Sequence, residues 1–166
     1  MIRTILMLFL MLLASLAPCA ENNVVSGPNT NRVAFYFGAH PDDWQLFMNP
    51  NAYYDVQKPS NKVVFVYVTA GDAGVGLGTG GRSQPYYLAR ENGAKLSVRF
   101  MADAAKAPEI PVDSVASVAG HPVKRWLYRN TVSYFMRLPD GSPQGTGYVA
   151  TAEQSLKRLG VPSPSR

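Results

Sequence analysis

His40, Asp42 and Asp43 lie close together in the first third of the chain and could carry hydrolytic chemistry. His40 and Asp43 are three positions apart, a spacing that directs both side chains to one point if a helix begins after Pro41. An imidazole nitrogen and a carboxylate oxygen both ligate zinc, so this pair is half of a predicted zinc site. Asp42 lies between them and points elsewhere, which is the position of a general base.

The chemistry predicted for such a site is hydrolysis by an activated water. Zinc polarises a carbonyl and lowers the pKa of its bound water from about 15.7 to about 7, so hydroxide is available at neutral pH. The neighbouring carboxylate takes the proton and returns it to the leaving amine. The same residues also fit a simple turn in which Asp42 or Asp43 caps the following helix, and the local pattern alone leaves both readings open.

Two apolar segments predict the strands that position these residues. Residues 32–38 form a short apolar run typical of a buried strand, and His40 follows it directly. Lys62–Thr69 is β-branched and aromatic, as in a strand covered on both faces. Residues 44–48 predict a short helix between the strands, and residues 70–81 form a loop with six glycines.

The rest of the chain predicts an α/β layered domain. Apolar residues at helical spacing from Pro85 predict a long amphipathic helix that ends near Ala107. Three further strands, predicted to form an antiparallel excursion, are followed by a segment of helical spacing. These strands are predicted at residues 114–118, 123–128 and 131–138, and the helical segment at residues 151–159.

Two linked motifs resemble those of the PIG-L/LmbE-like deacetylase family. The first is Gly-Ala-His-Pro-Asp-Asp at residues 38–43, directly after a strand, and the second is the strand and glycine-rich turn at residues 64–74. The similarity covers most of residues 32–160. It continues through the helix start at residues 87–94 and at residues 138–141 and 147–148.

The resemblance implies a Rossmann-like α/β fold with a mostly parallel sheet, and zinc-dependent removal of an acetyl group from an N-acetylglucosamine-type sugar. His40 and Asp43 match metal ligands of the family, and Asp42 matches its general base. Arg90 matches a substrate-contacting arginine. Asp72 lies where the family borders its substrate pocket, although a turn aspartate that stabilises the glycine loop is the alternative reading.

The sequence departs from the family pattern in two places. Trp44 stands where the family has an acidic residue, so a carboxylate that would support the metal ligands is missing or replaced. The family takes its third zinc ligand from a downstream His-x-x-His-like motif, which this sequence lacks, and the only other histidine is His121. The alternatives are an incomplete domain cut short before that motif, His121 as the third ligand, or a non-catalytic carbohydrate-binding remnant.

Two other enzyme classes fit parts of the sequence less well. Residues 76–81 spell Gly-x-Gly-x-x-Gly, which is typical of dinucleotide binding. In that fingerprint the first glycine ends the strand, whereas other residues intervene here, so a flexible loop beside the pocket is the preferred interpretation. An esterase acting on acylated glycans by the same zinc chemistry is the other alternative.

The composition indicates one globular domain. Of the 166 residues, 46% are hydrophobic and 16% are charged, which suits a packed core. The 16 basic and 11 acidic residues form no basic cluster, which argues against nucleic-acid binding. Cys19 is the only cysteine, so neither a disulfide nor a cysteine-rich metal site is expected. The expected partner is a small-molecule or glycan substrate, and the oligomeric state stays open.

The N-terminus has the pattern of a secretory signal peptide. Arg3 precedes an apolar run at residues 5–13 and a small-residue segment at residues 14–20. The apolar run is shorter than the roughly 20 residues that span a membrane, so cleavage is preferred over a permanent anchor. We therefore expect a secreted or periplasmic protein. Its predicted segments are a leader at 1–20, a linker at 21–31, the domain at 32–160 and a tail at 161–166.

Overall fold

The computed structural model describes residues 32–76, 83–104 and 106–159. The predicted leader, linker and tail lie outside the described residues, as do residues 77–82 of the glycine-rich loop. The strands are β1 (Val33–Gly38), β2 (Lys62–Thr69), β3 (Val112–Val118), β4 (His121–Tyr128) and β5 (Thr131–Leu138). The helices are α1 (Asp43–Phe47), α2 (Asn51–Gln57), α3 (Tyr86–Ala102) and α4 (Leu156–Leu159), with a 3-10 turn at Val149–Thr151.

The five strands form one mixed sheet in the order β1-β2-β5-β4-β3. β1, β2 and β5 are parallel, whereas β4 runs antiparallel to both β5 and β3. The predicted α/β class is confirmed. The predicted antiparallel excursion is confirmed, because β3 pairs with β4 and β4 pairs with β5 in antiparallel fashion. The parallel pairing of β5 with β2 on its other side was not predicted. Half of the sheet is therefore parallel and half antiparallel.

The insertion of β5 brings three strand ends together at one edge of the sheet. The amide of Thr69 donates to the carbonyl of Ala39 at 2.9 Å, and that of Ala70 donates to Leu138 at 2.9 Å. The loops after β1, β2 and β5 therefore leave the sheet side by side. Ligand sites of open α/β sheets form at this edge, outside the carboxyl ends of the strands.

The core lies between one face of the sheet and helices α1, α2 and α3. Phe65 and Tyr67 of β2 and Phe135 of β5 point into it and are at most 2% exposed. The buried side chains that the helices contribute are Trp44, Ala52, Val56, Ala94, Val98, Met101 and Ala102.

β1 is not the buried strand that its apolar sequence predicts. Val33, Phe35 and Phe37 are 57%, 59% and 61% exposed. These three alternate with residues that face the helices, and β1 is the outer strand of the described sheet. The prediction failed because an apolar run shows that a strand has two apolar faces, but not that both faces are covered.

The helices also differ from the prediction in their number and ends. Helix α2 was not predicted; its buried residues Ala52 and Val56 are four positions apart and face the core. Helix α3 ends at Ala102, earlier than predicted, and its C-cap residue is Asp103. Residues 151–159 form a turn and the short helix α4 rather than one helix. None of the described helices is long and apolar enough to cross a membrane.

Candidate functional site

The predicted residues after β1 lie at the shared carboxyl edge, where a buried aspartate from the loop after β5 joins them. Nε2 of His40 is 3.2 Å from Oδ1 of Asp140, and Nδ1 of His40 is 3.7 Å from Oδ1 of Asp43. The backbone amide of His40 also donates to Oδ2 of Asp43 at 3.0 Å, which ties the motif into one turn. His40 is thus held between two carboxylates, and its side chain is 41% exposed.

The donor types around His40 suit a divalent cation, but the described residues supply two donors to any one point. The two ring nitrogens of an imidazole point away from each other, so Asp43 and Asp140 lie on different sides of the ring. A cation at Nδ1 would find Asp43 beside it, with Asp140 at the other nitrogen as a supporting carboxylate. No group of three or more His, Cys, Asp or Glu side chains within residues 32–76, 83–104 and 106–159 could hold a metal.

Asp42 is oriented by an arginine rather than by the helix that follows it. It occupies the N-cap position of α1 without making a side-chain cap hydrogen bond. Nη2 of Arg90 instead donates to Oδ1 of Asp42 at 2.5 Å, while Nη1 donates to the carbonyl of Gly71 at 2.6 Å. This geometry does not fit the capping reading of Asp42, and its predicted role as a general base stays a prediction. The substrate contact predicted for Arg90 stays a prediction.

Gly71 allows the loop after β2 to approach the motif closely. Its φ is +62°, a left-handed conformation that favours glycine. A Cβ at this position would lie 2.6 Å from Cδ of Pro41 and 3.4 Å from the guanidinium carbon of Arg90. The contact between Arg90 and Asp42 therefore depends on a position that only glycine fills without strain.

Asp140 is the site residue that sequence reasoning missed. It is 6% exposed, and its Oδ2 accepts a hydrogen bond from the amide of Ala73 at 2.9 Å. Its carboxylate thereby links the loop after β5 to the loop after β2 and to His40. The available signal was a Pro-Asp-Gly turn directly after a predicted strand, but its meaning depends on β5 lying next to β2.

Asp72 and His121 do not contact His40 or Asp43 in the described structure. Oδ1 of Asp72 accepts from the amide of Gly74 at 3.1 Å, and the side chain is buried, which fits the turn-stabilising reading. Its predicted place at the border of a substrate pocket stays a prediction. His121 begins β4, is exposed and pairs with Val118 across the β3–β4 hairpin.

Trp44 faces the core and not the site. It is 2% exposed, its Nε1 donates to the hydroxyl of Tyr67 at 2.9 Å, and its ring lies 4.9 Å from that of Phe65. Burial raises the pKa of Tyr67 above the ordinary range, and this outweighs the hydrogen bond from Trp44, which acts to lower it. The residue that departs from the family pattern is therefore a packing residue of α1.

Comparison of the chain with family models, with curated proteins and with solved structures gave no match.

Proposed function

We propose that this chain is a zinc-dependent hydrolase that removes an acetyl group from an N-acetylglucosamine-type sugar. The observation that carries the proposal is the setting of His40, whose ring lies between Asp43 and Asp140 while Arg90 orients Asp42 nearby. The PIG-L/LmbE-like resemblance supports it through the order of the two motifs. A Rossmann-like fold and export by the N-terminal leader belong to the same proposal.

In this proposal zinc, when bound, supplies polarisation of the amide carbonyl and a more acidic water. His40 and Asp43 are the residues of this chain that would hold it. Asp140 orients the His40 ring from the opposite side, as carboxylates commonly do for metal-binding histidines.

Asp42 moves the proton. Its side chain is 48% exposed and one of its oxygens is held by Arg90, so the carboxylate is both oriented and accessible to water. Water adds to the acetyl carbon as Asp42 takes its proton, and the C–N bond then breaks. Asp42 returns the proton to the leaving nitrogen, so the products are acetate and a free amino sugar.

The test is deacetylation of N-acetylglucosamine derivatives by the purified protein, with metal content measured in parallel. We expect Asp42→Asn to lower kcat by about a hundredfold or more while zinc is retained, since positioned acid–base catalysis contributes about 10²–10⁴-fold. His40→Ala should lose the zinc itself. Asp113→Asn, an exposed aspartate paired with Lys95 and Lys124, is the matched control and should keep both.

Absence of stoichiometric zinc together with unchanged turnover in Asp42→Asn would refute the mechanism. Comparison of amide and ester substrates of equal shape separates deacetylation from an esterase activity.

The two donors rather than three that the described residues supply at His40 favour a second candidate, a non-catalytic carbohydrate-binding protein with the same fold. It predicts that N-acetylglucosamine derivatives bind without turnover. Zinc titration separates the two: affinity that is retained after His121→Ala, with no hydrolysis, favours the binding protein. Loss of zinc in His121→Ala would instead identify the third ligand.

A further inference from the structure

An ion pair between a buried carboxylate and an exposed arginine lies next to Arg90 and connects the start of helix α3 to the end of β5. Glu91 is 4% exposed, and both of its oxygens accept from one guanidinium: Nε of Arg137 donates to Oε1 at 2.7 Å, and Nη2 donates to Oε2 at 2.9 Å. Such two-point pairs restrict orientation more than a single contact does. A carboxylate this deeply buried is stable only with a partner.

The backbone of β5 is distorted at the point where it presents Arg137. Tyr67 pairs with Phe135 and Thr69 pairs with Leu138, so β5 carries one extra residue there. Arg137 has a φ of +55°, a left-handed conformation that is unfavourable for any residue other than glycine. Bulges of this kind redirect a side chain, and here the guanidinium reaches Glu91 and lies 5.0 Å from the centre of the Tyr87 ring.

Glu91 and Arg90 are consecutive on α3 and lie in the same turn. Glu91 is fixed to β5, while Arg90 reaches Asp42 and the carbonyl of Gly71. A small rotation or shift of the helix start would change the reach of Arg90 directly.

We infer that Glu91 and Arg137 are positioning residues that set the reach of Arg90 and, through it, the orientation of Asp42. Neither residue contacts His40, Asp42 or Asp43 through any described interaction. The inference rests on the proposed function, because the orientation of Asp42 matters for the rate only if Asp42 is the base. The contact between Arg90 and Asp42 can nevertheless be measured without any turnover.

The other end of α3 offers a matched control. Its C-cap residue Asp103 accepts from Nε of Arg129 at 2.9 Å, and Arg129 also has a left-handed φ, of +51°. The Asp103–Arg129 pair thus resembles the Glu91–Arg137 pair in chemistry and backbone strain. It lies at the end of the helix that is remote from Arg90, so Asp103→Asn tests loss of a helix-anchoring ion pair, together with the hydrogen bond from Tyr128, away from the site.

The experiment compares wild type, Glu91→Gln, Arg137→Lys and Asp103→Asn by NMR of the arginine side chains and by kinetics. The guanidinium resonances of Arg90 are assigned with Arg90→Lys. In wild type the Nη protons of Arg90 should be resolved, because its two hydrogen bonds restrict rotation. In Glu91→Gln they should merge and kcat should fall about tenfold to a hundredfold, as expected for small misplacement in a site, with KM changed less than threefold.

Arg137→Lys keeps the charge but loses the two-point contact, so it should give a smaller loss of kcat than Glu91→Gln. Asp103→Asn should leave the Arg90 resonances and kcat at wild-type values. Unchanged Arg90 resonances in Glu91→Gln, or equal changes in Asp103→Asn, would overturn the positioning role. If wild type shows no turnover at all, the proposed function fails, while the NMR comparison still decides whether Glu91 positions Arg90.

Discussion

Single residues decide how closely the loops of this site approach one another, and Gly71 is the clearest case. Glycine matters at this position for two reasons: the left-handed backbone and the close approach of Pro41. The conformation turns the chain after β2, and the missing Cβ lets Pro41 and Arg90 come near. The motif at residues 38–43 and the motif at residues 64–74 therefore approach each other closely at Pro41 and Gly71.

We predict that Gly71→Ala lowers the free energy of unfolding by about 3 kcal/mol or more, because steric overlap adds to the roughly 1–2 kcal/mol of a left-handed residue. Gly76→Ala is the matched control. Its φ is +61°, and a Cβ at this position would meet none of the described atoms within 4 Å, so we expect only the conformational part. Urea denaturation of both variants measures the difference, and equal losses would contradict the close approach to Pro41.

Helix α3 is the element that connects the site to the rest of the fold. Near its start, Glu91 pairs with Arg137 of β5. At its end, Asp103 pairs with Arg129 in the turn between β4 and β5. Burial acts to raise the pKa of Asp103, but hydrogen bonds from Tyr128 and Arg129 outweigh it, so the pKa lies below its ordinary value. Protonation of Asp103 at low pH should therefore weaken the contacts at the end of helix α3 and lower the stability of the fold.

Because the folded-state pKa of Asp103 is lowered, its contribution to stability is present above the unfolded-state value and is lost as pH falls through the folded-state value. We predict that wild type is more stable than Asp103→Asn at pH 6 and that this advantage shrinks steadily below about pH 4, near the unfolded pKa of an aspartate. Urea denaturation between pH 6 and pH 2 measures it. An advantage that does not change with pH would show that the carboxylate charge contributes nothing.

At the scale of the whole molecule, the sheet is asymmetric. Helices α1, α2 and α3 cover one face, and β1 leaves Val33, Phe35 and Phe37 largely exposed on the other. Parallel strands are usually covered on both faces. The rings of Phe35 and Phe37 are nearly parallel, with centroids 6.1 Å apart.

This asymmetry predicts very different losses for two phenylalanines on neighbouring strands. Phe65→Ala should lower the free energy of unfolding by about 3–5 kcal/mol, because it leaves a cavity in the core. Phe35→Ala should lower it by less than about 1 kcal/mol, since an exposed ring loses little burial. The comparison uses the same substitution and the same urea assay. A loss at Phe35 as large as that at Phe65 would show that this face is covered in solution.

Short-range patterns were enough to predict most elements and the proximity of His40 to Asp43. The bounds of β2 and β5 agree with the prediction, because each is an apolar, β-rich run closed by turn residues. The approach of His40 to Asp43 was predicted from their spacing, since residues within four positions are placed by one turn. The roles of His40, Asp42 and Asp43 stay predictions. Helix α2 was missed because Asn49 and Pro50 mark a break, while its own apolar face is only Ala52 and Val56.

Long-range pairing decided the rest. Asp140 reaches His40 across 100 positions of sequence because β5 inserts beside β2. Arg90 reaches Asp42 across 48 positions from helix α3, which packs against α2 and β5. The order β1-β2-β5-β4-β3 cannot be predicted from local sequence patterns. A strand with a given alternation of side chains can pair either parallel or antiparallel to its neighbour. The exposed face of β1 was also decided by tertiary structure. The apolar sequence predicts a strand, but the packing of the helices determines which of its two faces is buried.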